Sequence, residues 1–188
     1  MSSDVYLPEA FQAIRDKDEK FLWVGKPARI PFVISGIPFL VFGTLWFCFD
    51  YFGFIRHMGG KSGIPLGFAL PFFALHLFPF WASVLNIFRL FLVVGNTYYA
   101  VSPKRLLLRS GFWGTDFQTV DFDQIANFEV SVNPIENIYG VGTISAMPRL
   151  LMTGSRTRGF TRLVGIKNPY EVFKLIKQTS ESRPPAAA

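Results

Sequence analysis

Two long uncharged stretches, Ile30–Phe49 and Ile64–Phe88, constrain the fold of this chain more than any other feature of its sequence. A helix of about 20 residues is roughly 30 Å long, which matches the hydrocarbon core of a bilayer. A short polar segment, Asp50–Gly63, separates the two stretches and carries several charged residues. The pattern predicts a two-helix transmembrane hairpin.

The hairpin prediction divides the chain into six parts. They are an N-terminal segment (1–29), a first span (30–53), a short loop (54–63), a proline-rich and kinked second span (64–94), a water-facing domain (95–178) and a disordered tail (179–188). Basic residues are denser beside the two termini than in the loop, which carries only Arg56 and Lys61 outside its histidine. The positive-inside rule therefore predicts both termini on the cytoplasmic side and the loop outside.

Small residues recur seven positions apart in both spans. Gly36 and Gly43 form one such pair, and Gly67 and Ala74 form the other. Residues seven apart lie on one face of a helix, and small side chains on that face let two helices approach closely. We therefore expect the hairpin to pack along these four positions.

His76 is the ionisable side chain of the second uncharged stretch, Ile64–Phe88. An ionisable group within a membrane segment suggests a functional site by default. The alternative is a neutral ring that bonds a backbone carbonyl released by Pro71 or Pro79. Because neither uncharged stretch contains a carboxylate, the sequence favours this alternative.

The N-terminal segment has three parts. Pro8–Ile14 has the composition of a short helix, with a proline at its start. Arg15–Lys20 alternates in charge, which predicts a solvated segment. Phe21–Val24 is short and aromatic, and it fits either a strand or an anchor at the membrane interface.

After the second span, the chain reads as a series of short strands followed by one helix. The candidate strands are Tyr98–Val101, Arg105–Arg109, Phe117–Phe122, Ile125–Val132, Gly140–Ala146, Arg149–Thr153 and Gly159–Ile166. Ser102-Pro103-Lys104 has the composition of a tight turn. Asn168 and Pro169 predict the start of an amphipathic helix that continues to Gln178.

Five segments form an ordered set of motifs: Glu19–Pro27 (E-x-x-L-W-x-G-x-P), Tyr98–Leu106, Ile125–Val130, Gly140–Ile144 (G-x-G-T-I) and Ile166–Val172. Together they resemble bacterial membrane proteins that carry a pleckstrin-homology (PH) domain of the second type, a DUF304-like family. The resemblance implies an α+β membrane protein: a two-helix hairpin followed by a PH-like β-barrel or sandwich that a C-terminal helix closes. It also implies a bacterial cytoplasmic membrane location and a role in binding or oligomerisation.

Basic residues provide the candidate contacts of the water-facing domain. Lys104 and Arg105 lie at the first hairpin, where eukaryotic PH domains often hold phosphoinositides. A second group lies around the last predicted hairpin: Arg149, Arg156, Arg158 and Arg162. These side chains fit contact with anionic lipid or with a partner protein, and they fit ordinary surface charge equally well.

The sequence offers no pattern of catalytic residues. The water-facing domain contains no histidine and no cysteine, and Cys48, the single cysteine, lies within the first span. We predict neither enzymatic activity nor a metal or cofactor. The net charge of +6 is better explained by an acidic membrane surface than by nucleic acid.

The sequence is compatible with three candidate functions. The first is a membrane-anchored binding or scaffold module that engages a protein partner or a second copy of itself. The second is an accessory or assembly subunit of a larger integral membrane complex, docked through its two spans. The third is a role with lipid or ions that involves His76.

Overall fold

The structure, a computed structural model, describes residues 9–12, 14–56, 65–148 and 161–182. The chain divides into two compact units. The first combines Met1–Phe32 with Val93–Ala188, and the second is Val33–Leu92. The N-terminal segment therefore belongs to the same unit as the water-facing domain, and is not a separate part as the sequence suggested.

Seven strands and seven α-helices are described. The strands are β1 (Trp23–Gly25), β2 (Tyr98–Val101), β3 (Arg105–Ser110), β4 (Asp116–Asp121), β5 (Ile125–Ser131), β6 (Val141–Pro148) and β7 (Thr161–Lys167). The helices are α1 (Glu9–Gln12), α2 (Arg29–Ile34), α3 (Ile37–Asp50), α4 (Leu66–His76), α5 (Phe78–Gly95), α6 (Pro134–Ile138) and α7 (Pro169–Glu181). A π-helix, Tyr51–Ile55, continues α3.

The first unit contains two antiparallel sheets, with strand orders β1-β2-β3-β4 and β5-β6-β7. Its core joins side chains from both sheets, such as Leu106 and Ile144, with Val172 and Ile176 of α7. The predicted α+β architecture, with a PH-like domain followed by a closing helix, is confirmed. The prediction left a barrel or a sandwich open, and a closed barrel is not found: no strand pairing joins the two sheets within the described residues.

The Tyr99 side chain bridges the opening between the sheets. The Tyr99 hydroxyl accepts a hydrogen bond from the Val164 N–H at 3.2 Å and lies 3.3 Å from the Val164 carbonyl, to which it donates. The hydroxyl thus bonds the same backbone groups of β7 that a neighbouring strand would bond. Burial raises the pKa of Tyr99 to about 12, although the bond to Val164 acts in the opposite direction.

The N-terminal segment completes the first sheet. β1 pairs with β2, so that Trp23 lies opposite Val101 and Gly25 opposite Tyr99. Phe11 and Phe21 form a second buried cluster with Ala100 and Leu107. Phe21–Val24 therefore leads into a strand of the domain.

The closing helix begins where the sequence predicts, but through a different geometry. Asn168 adopts a left-handed conformation (φ 50°) and its side chain does not cap the helix. Asparagine tolerates this conformation better than most residues, so Asn168 serves the turn from β7 into α7. A capping box occurs instead at α6, where Asn133 and Glu136 exchange side-chain and backbone hydrogen bonds.

The second unit is an antiparallel arrangement of apolar helices that break near prolines. The chain turns at Ser35–Gly36 and restarts as α3, with Pro38 in the first turn. The predicted second span is two helices, because α4 ends at His76 and α5 restarts with Pro79 at its second position. In both places the missing proline N–H falls in a first turn, where no helical partner is needed.

Large apolar side chains cover the outside of the second unit. Leu45, Phe49, Leu75 and Leu85 are among many that are more than half exposed. The helical stretch Arg29–Phe54 and helix α5 are each long and apolar enough to cross a bilayer.

Candidate functional site

Arg105, a candidate lipid contact from the sequence, is part of an internal ion pair of the first unit. Its guanidinium donates to both carboxylate oxygens of Glu19, at 3.1 and 2.8 Å, and to the Ile14 carbonyl at 3.1 Å. Asp16 approaches it at 3.3 Å from a more exposed position. The segment Arg15–Lys20 is therefore not simply solvated, because Glu19 is buried against β3.

Hydrogen bonds hold the pKa of the Glu19 carboxyl well below its ordinary value. Burial alone would raise the pKa of Glu19, but hydrogen bonds from Arg105 and Ser102 and from the Asp16 N–H outweigh burial and lower the pKa to about 2. The hydrogen bond to Glu19 in turn raises the pKa of Arg105, although burial acts in the opposite direction. A bidentate pair of this kind fixes the N-terminal segment to the domain.

The other basic candidates do not gather into one described site. Lys104 and Arg162 are exposed, on the β2–β3 turn and on β7 respectively. Ser102 accepts hydrogen bonds from the N–H groups of Lys104 and Arg105, which holds the predicted tight turn. Arg149, Arg156 and Arg158 lie outside the described residues, as does the predicted strand Arg149–Thr153.

His76 has a carboxylate partner that the sequence did not reveal. Its Nε2 lies 3.3 Å from Oδ1 of Asp50, a residue that is fully buried at the end of α3. The contact is not a hydrogen bond, and neither Asp50 oxygen has a donor among the described residues. The expectation that His76 lacks a carboxylate partner is wrong, because helix α3 extends through Asp50 and places it beside α4.

Aromatic side chains surround the Asp50–His76 pair. Phe72 stacks on the His76 ring at 5.2 Å, and the Trp46 ring lies 5.4 Å away. The Trp46 indole N–H donates to the His76 carbonyl at 3.1 Å. That carbonyl is available because the Phe80 N–H bonds Leu77 instead. The sequence predicted that the His76 ring would bond a released carbonyl; the structure shows instead that Trp46 donates to the carbonyl of His76 itself.

The four small residues of the two spans have different surroundings. A Cβ at Gly36 would contact Leu90 and Ile87, and one at Gly43 would collide with Ser83 and the Pro79 carbonyl. Gly67 instead faces open space within the described part of the chain, and Ala74 is exposed. The close helix contact therefore joins the two glycines of the first span to Ser83 and its neighbours in α5.

A cleft of about 400 Å³ opens between β1 and the start of α7. Its apolar lining includes Trp23 and Leu175, and its polar lining includes Lys26, Lys167 and Glu171. It lies beside the free edge of β1, the terminal strand of the first sheet. A concave surface with apolar walls and charges of both signs suits recognition of a peptide or small polar ligand.

The loop between β3 and β4 presents two exposed aromatic residues that sequence reasoning missed. Trp113 is 91% exposed and Phe112 is 41% exposed, with their rings 5.5 Å apart. Both lie between the candidate strands Arg105–Arg109 and Phe117–Phe122, in a stretch for which no site was predicted from the sequence. A pair of large rings at the tip of a short turn is the signal that would have found this surface.

The two sheets and the closing helix of the first unit agree with the comparison to known protein families. The family model described as "Bacterial PH domain" matches residues 32–179, and the chain belongs to this family. The match begins after β1, so the N-terminal strand lies outside it.

Comparisons with curated proteins and with solved structures do not extend this family assignment. No curated protein matches the chain. A solved structure with some likeness is a DUF1696 family protein with a pleckstrin-homology domain from Shewanella loihica. It is 17% identical, with a TM-score of 0.32, over 45% of this chain and 71% of that one.

Proposed function

We propose that this protein is a non-enzymatic binding module held at the cytoplasmic face of the bacterial inner membrane by its helical hairpin. The observation that carries the proposal is the apolar outer surface of the second unit, which has the length and composition of two membrane crossings. Lipid is the solvent that such a surface requires, because water penalises large contiguous apolar patches. The PH domain of the same chain supplies the binding unit.

Extraction and reporter fusions test the anchoring. The full chain should stay in the membrane pellet at alkaline pH and leave it only with detergent. A reporter fused at Ala188 should be active on the cytoplasmic side. Release by alkali, or a reporter active outside, contradicts the proposal.

The binding partner is a protein or a second copy of the chain. Native mass measurement after gentle extraction separates these outcomes, because a homo-oligomer gives an integral multiple of 21.3 kDa. A stoichiometric complex with another membrane protein supports the alternative function, an accessory subunit docked through the hairpin.

The Asp50–His76 pair favours this alternative. The His76 side chain is 35% exposed on a surface whose other exposed residues, such as Leu75, are apolar. A polar group at such a position suits a hydrogen-bonding partner on another helix. His76→Leu should then reduce co-purification of the partner, whereas Leu75→Ala should not.

The third candidate, a role with lipid or ions, makes a different prediction. Here Asp50→Asn and His76→Ala abolish the cellular function while the complex still assembles. An unchanged phenotype for both variants excludes it.

A further inference from the structure

We propose that the loop between β3 and β4, residues 111–115, contacts the lipid head groups of the membrane that the chain's own helices cross. In this arrangement Phe112 and Trp113 enter the interface, and Lys26 and Arg109 face anionic phosphates. The proposal rests on the anchoring proposed above. It transfers the lipid contact from Lys104 and Arg105 to a different edge of the domain.

The path of the chain places this loop beside the end of the second apolar helix. α5 ends at Gly95, and β2 begins at Tyr98 and leads away from that end. β3 returns antiparallel to β2, so that Arg109 lies opposite Tyr98. The Asn96 side chain then reaches the Gly111 carbonyl at 3.5 Å, which ties the loop to the helix end.

The same path places the first hairpin far from that end. The Ser102–Lys104 turn follows the four residues of β2. At about 3.3 Å per residue, the turn is roughly 13 Å from the start of the strand. Arg105 is in addition engaged by Glu19. The basic hairpin therefore lies at the opposite end of β2 from the last residues of α5.

The loop is built to expose its aromatic residues. A Cβ at Gly111 would collide with the Gly114 carbonyl, so the tight turn depends on glycine at this position. Between these two glycines, Phe112 and Trp113 point out with their rings in contact. Tryptophan concentrates at membrane interfaces because its ring is apolar and its N–H prefers a hydrated partner.

The charges beside the loop favour an anionic lipid surface. The Tyr98 ring lies 4.2 Å from the Lys26 ammonium and 5.5 Å from the Arg109 guanidinium. The Nε of Arg109 is buried and has no hydrogen-bond acceptor among the described residues. Two carboxylates oppose these charges on the same two strands: Asp116, which pairs with Ser110 beside the loop, and Asp121, which pairs with Arg105 at the far end.

Depth-dependent quenching tests the proposal on the full chain. Because the chain has one cysteine, Cys48→Ser gives a background in which Trp113→Cys carries a single fluorescent probe. In proteoliposomes that contain anionic phospholipid, brominated acyl chains should quench this probe at least threefold more than a probe at Lys104→Cys. A third probe, Leu45→Cys, reports on the hairpin itself.

The three probes separate the possible failures. Quenching at position 45 without quenching at 113 overturns the loop contact and leaves the anchoring intact. Absence of quenching at both positions removes the anchoring as well. If the probe at 113 is shielded from aqueous iodide but not quenched by brominated lipid, the loop binds a protein or a second copy, and the lipid proposal is wrong.

Neutral vesicles test the role of charge. Arg109→Gln should lower the quenching at position 113 in anionic vesicles and change it little in neutral ones. An equal loss in both vesicle types would show that Arg109 acts only on the conformation of the loop, and would remove the anionic phosphates from the proposal.

Discussion

At the scale of single residues, two side chains hold together parts of the first unit that are far apart in sequence. Arg105 joins the N-terminal segment to β3 through Glu19. Tyr99 joins the first sheet to β7 through the backbone of Val164. Both contacts are polar and buried. If one partner is removed, the other stays buried and cannot form hydrogen bonds with water instead, which destabilises the fold.

Glu19→Gln should lower the free energy of unfolding by about 3 kcal/mol, because it leaves the Arg105 charge in a mostly buried position without its counterion. Asp16→Asn is the matched control. Asp16 also approaches Arg105 but is more than half exposed, so its loss should change stability by less than about 1 kcal/mol. Thermal unfolding of the detergent-solubilised protein measures both. Equal destabilisation by the two variants would contradict the assignment of Glu19 as the main partner of Arg105.

The pKa of Glu19 also predicts an acid-dependent loss of stability. The pKa is about 2 in the folded protein against an ordinary value of 4.5. A lowered pKa stabilises the fold above the ordinary value, and this contribution disappears as the pH falls from about 4.5 towards 2. The melting temperature of the parent chain should fall over this range, and Glu19→Gln should fall less steeply. Parallel curves would refute the assignment.

Tyr99→Phe should destabilise the protein by about 1–3 kcal/mol, because the N–H and carbonyl of Val164 lose their partner inside the domain. Tyr98→Phe is the control. It retains the ring that Lys26 and Arg109 contact and should be close to neutral. Chemical denaturation at neutral pH compares the two, and a neutral Tyr99→Phe would show that water reaches Val164.

At the scale of elements, local sequence patterns predicted most of the domain. Strands β2 to β7 and helix α7 follow from alternation, turn residues and helical spacing, all of which act over a few residues. β1 was left open because it has three residues and pairs with a strand on the far side of the hairpin. Its identity depends on that distant partner rather than on its own composition.

The candidate sites were harder to predict from the sequence, because their contacts also depend on residues that are distant in the chain. Lys104 was correctly expected in a tight turn, but the inward direction of Arg105 depends on Glu19, which precedes it by 86 positions. Likewise, Asp50 was counted with the polar segment between the two uncharged stretches, and its contact with His76 depends on where α3 ends and how α4 lies against it. The contacts of a charged side chain depend on tertiary register, which sequence spacing does not contain.

The close contact of α3 with α5 makes a prediction about one glycine. Gly43→Val should lower the melting temperature of the solubilised protein, because the added atoms collide with Ser83 and the Pro79 backbone, and overpacking costs about 1–3 kcal/mol. Gly67→Val places the same side chain in open space within the described residues and should have little effect. The order would be reversed if the helices packed along Gly67.

At the scale of the whole molecule, the PH domain is discontinuous in sequence. Residues before and after the second unit contribute to one fold, and Phe11, Phe21 and β1 come from the first part. A fragment that begins after α5 therefore lacks a strand and part of a buried cluster. It is an incomplete domain, although its six strands and closing helix look self-sufficient in the sequence.

A domain fragment tests this directly. Residues 96–182 alone should show broad amide resonances and no cooperative unfolding. A shortened chain in which a flexible linker joins residues 9–28 to Asn96 should fold cooperatively, because it restores β1 and the Glu19–Arg105 pair. Cooperative unfolding of the fragment without residues 9–28, with equal stability, would show that the N-terminal segment is dispensable.

The pairing of β1 with β2 has a consequence for how the protein is made. A ribosome releases β1 roughly seventy residues before β2, and closing an unstructured loop of that length carries an entropic penalty of about 4 kcal/mol. The hairpin removes most of this penalty once its helices lie side by side, since Gly36 and Leu90 near its two ends are then in contact. Completion of the domain thereby depends on prior assembly of the hairpin. We expect chains with misassembled helices to be left with an unpaired β1 that proteases recognise.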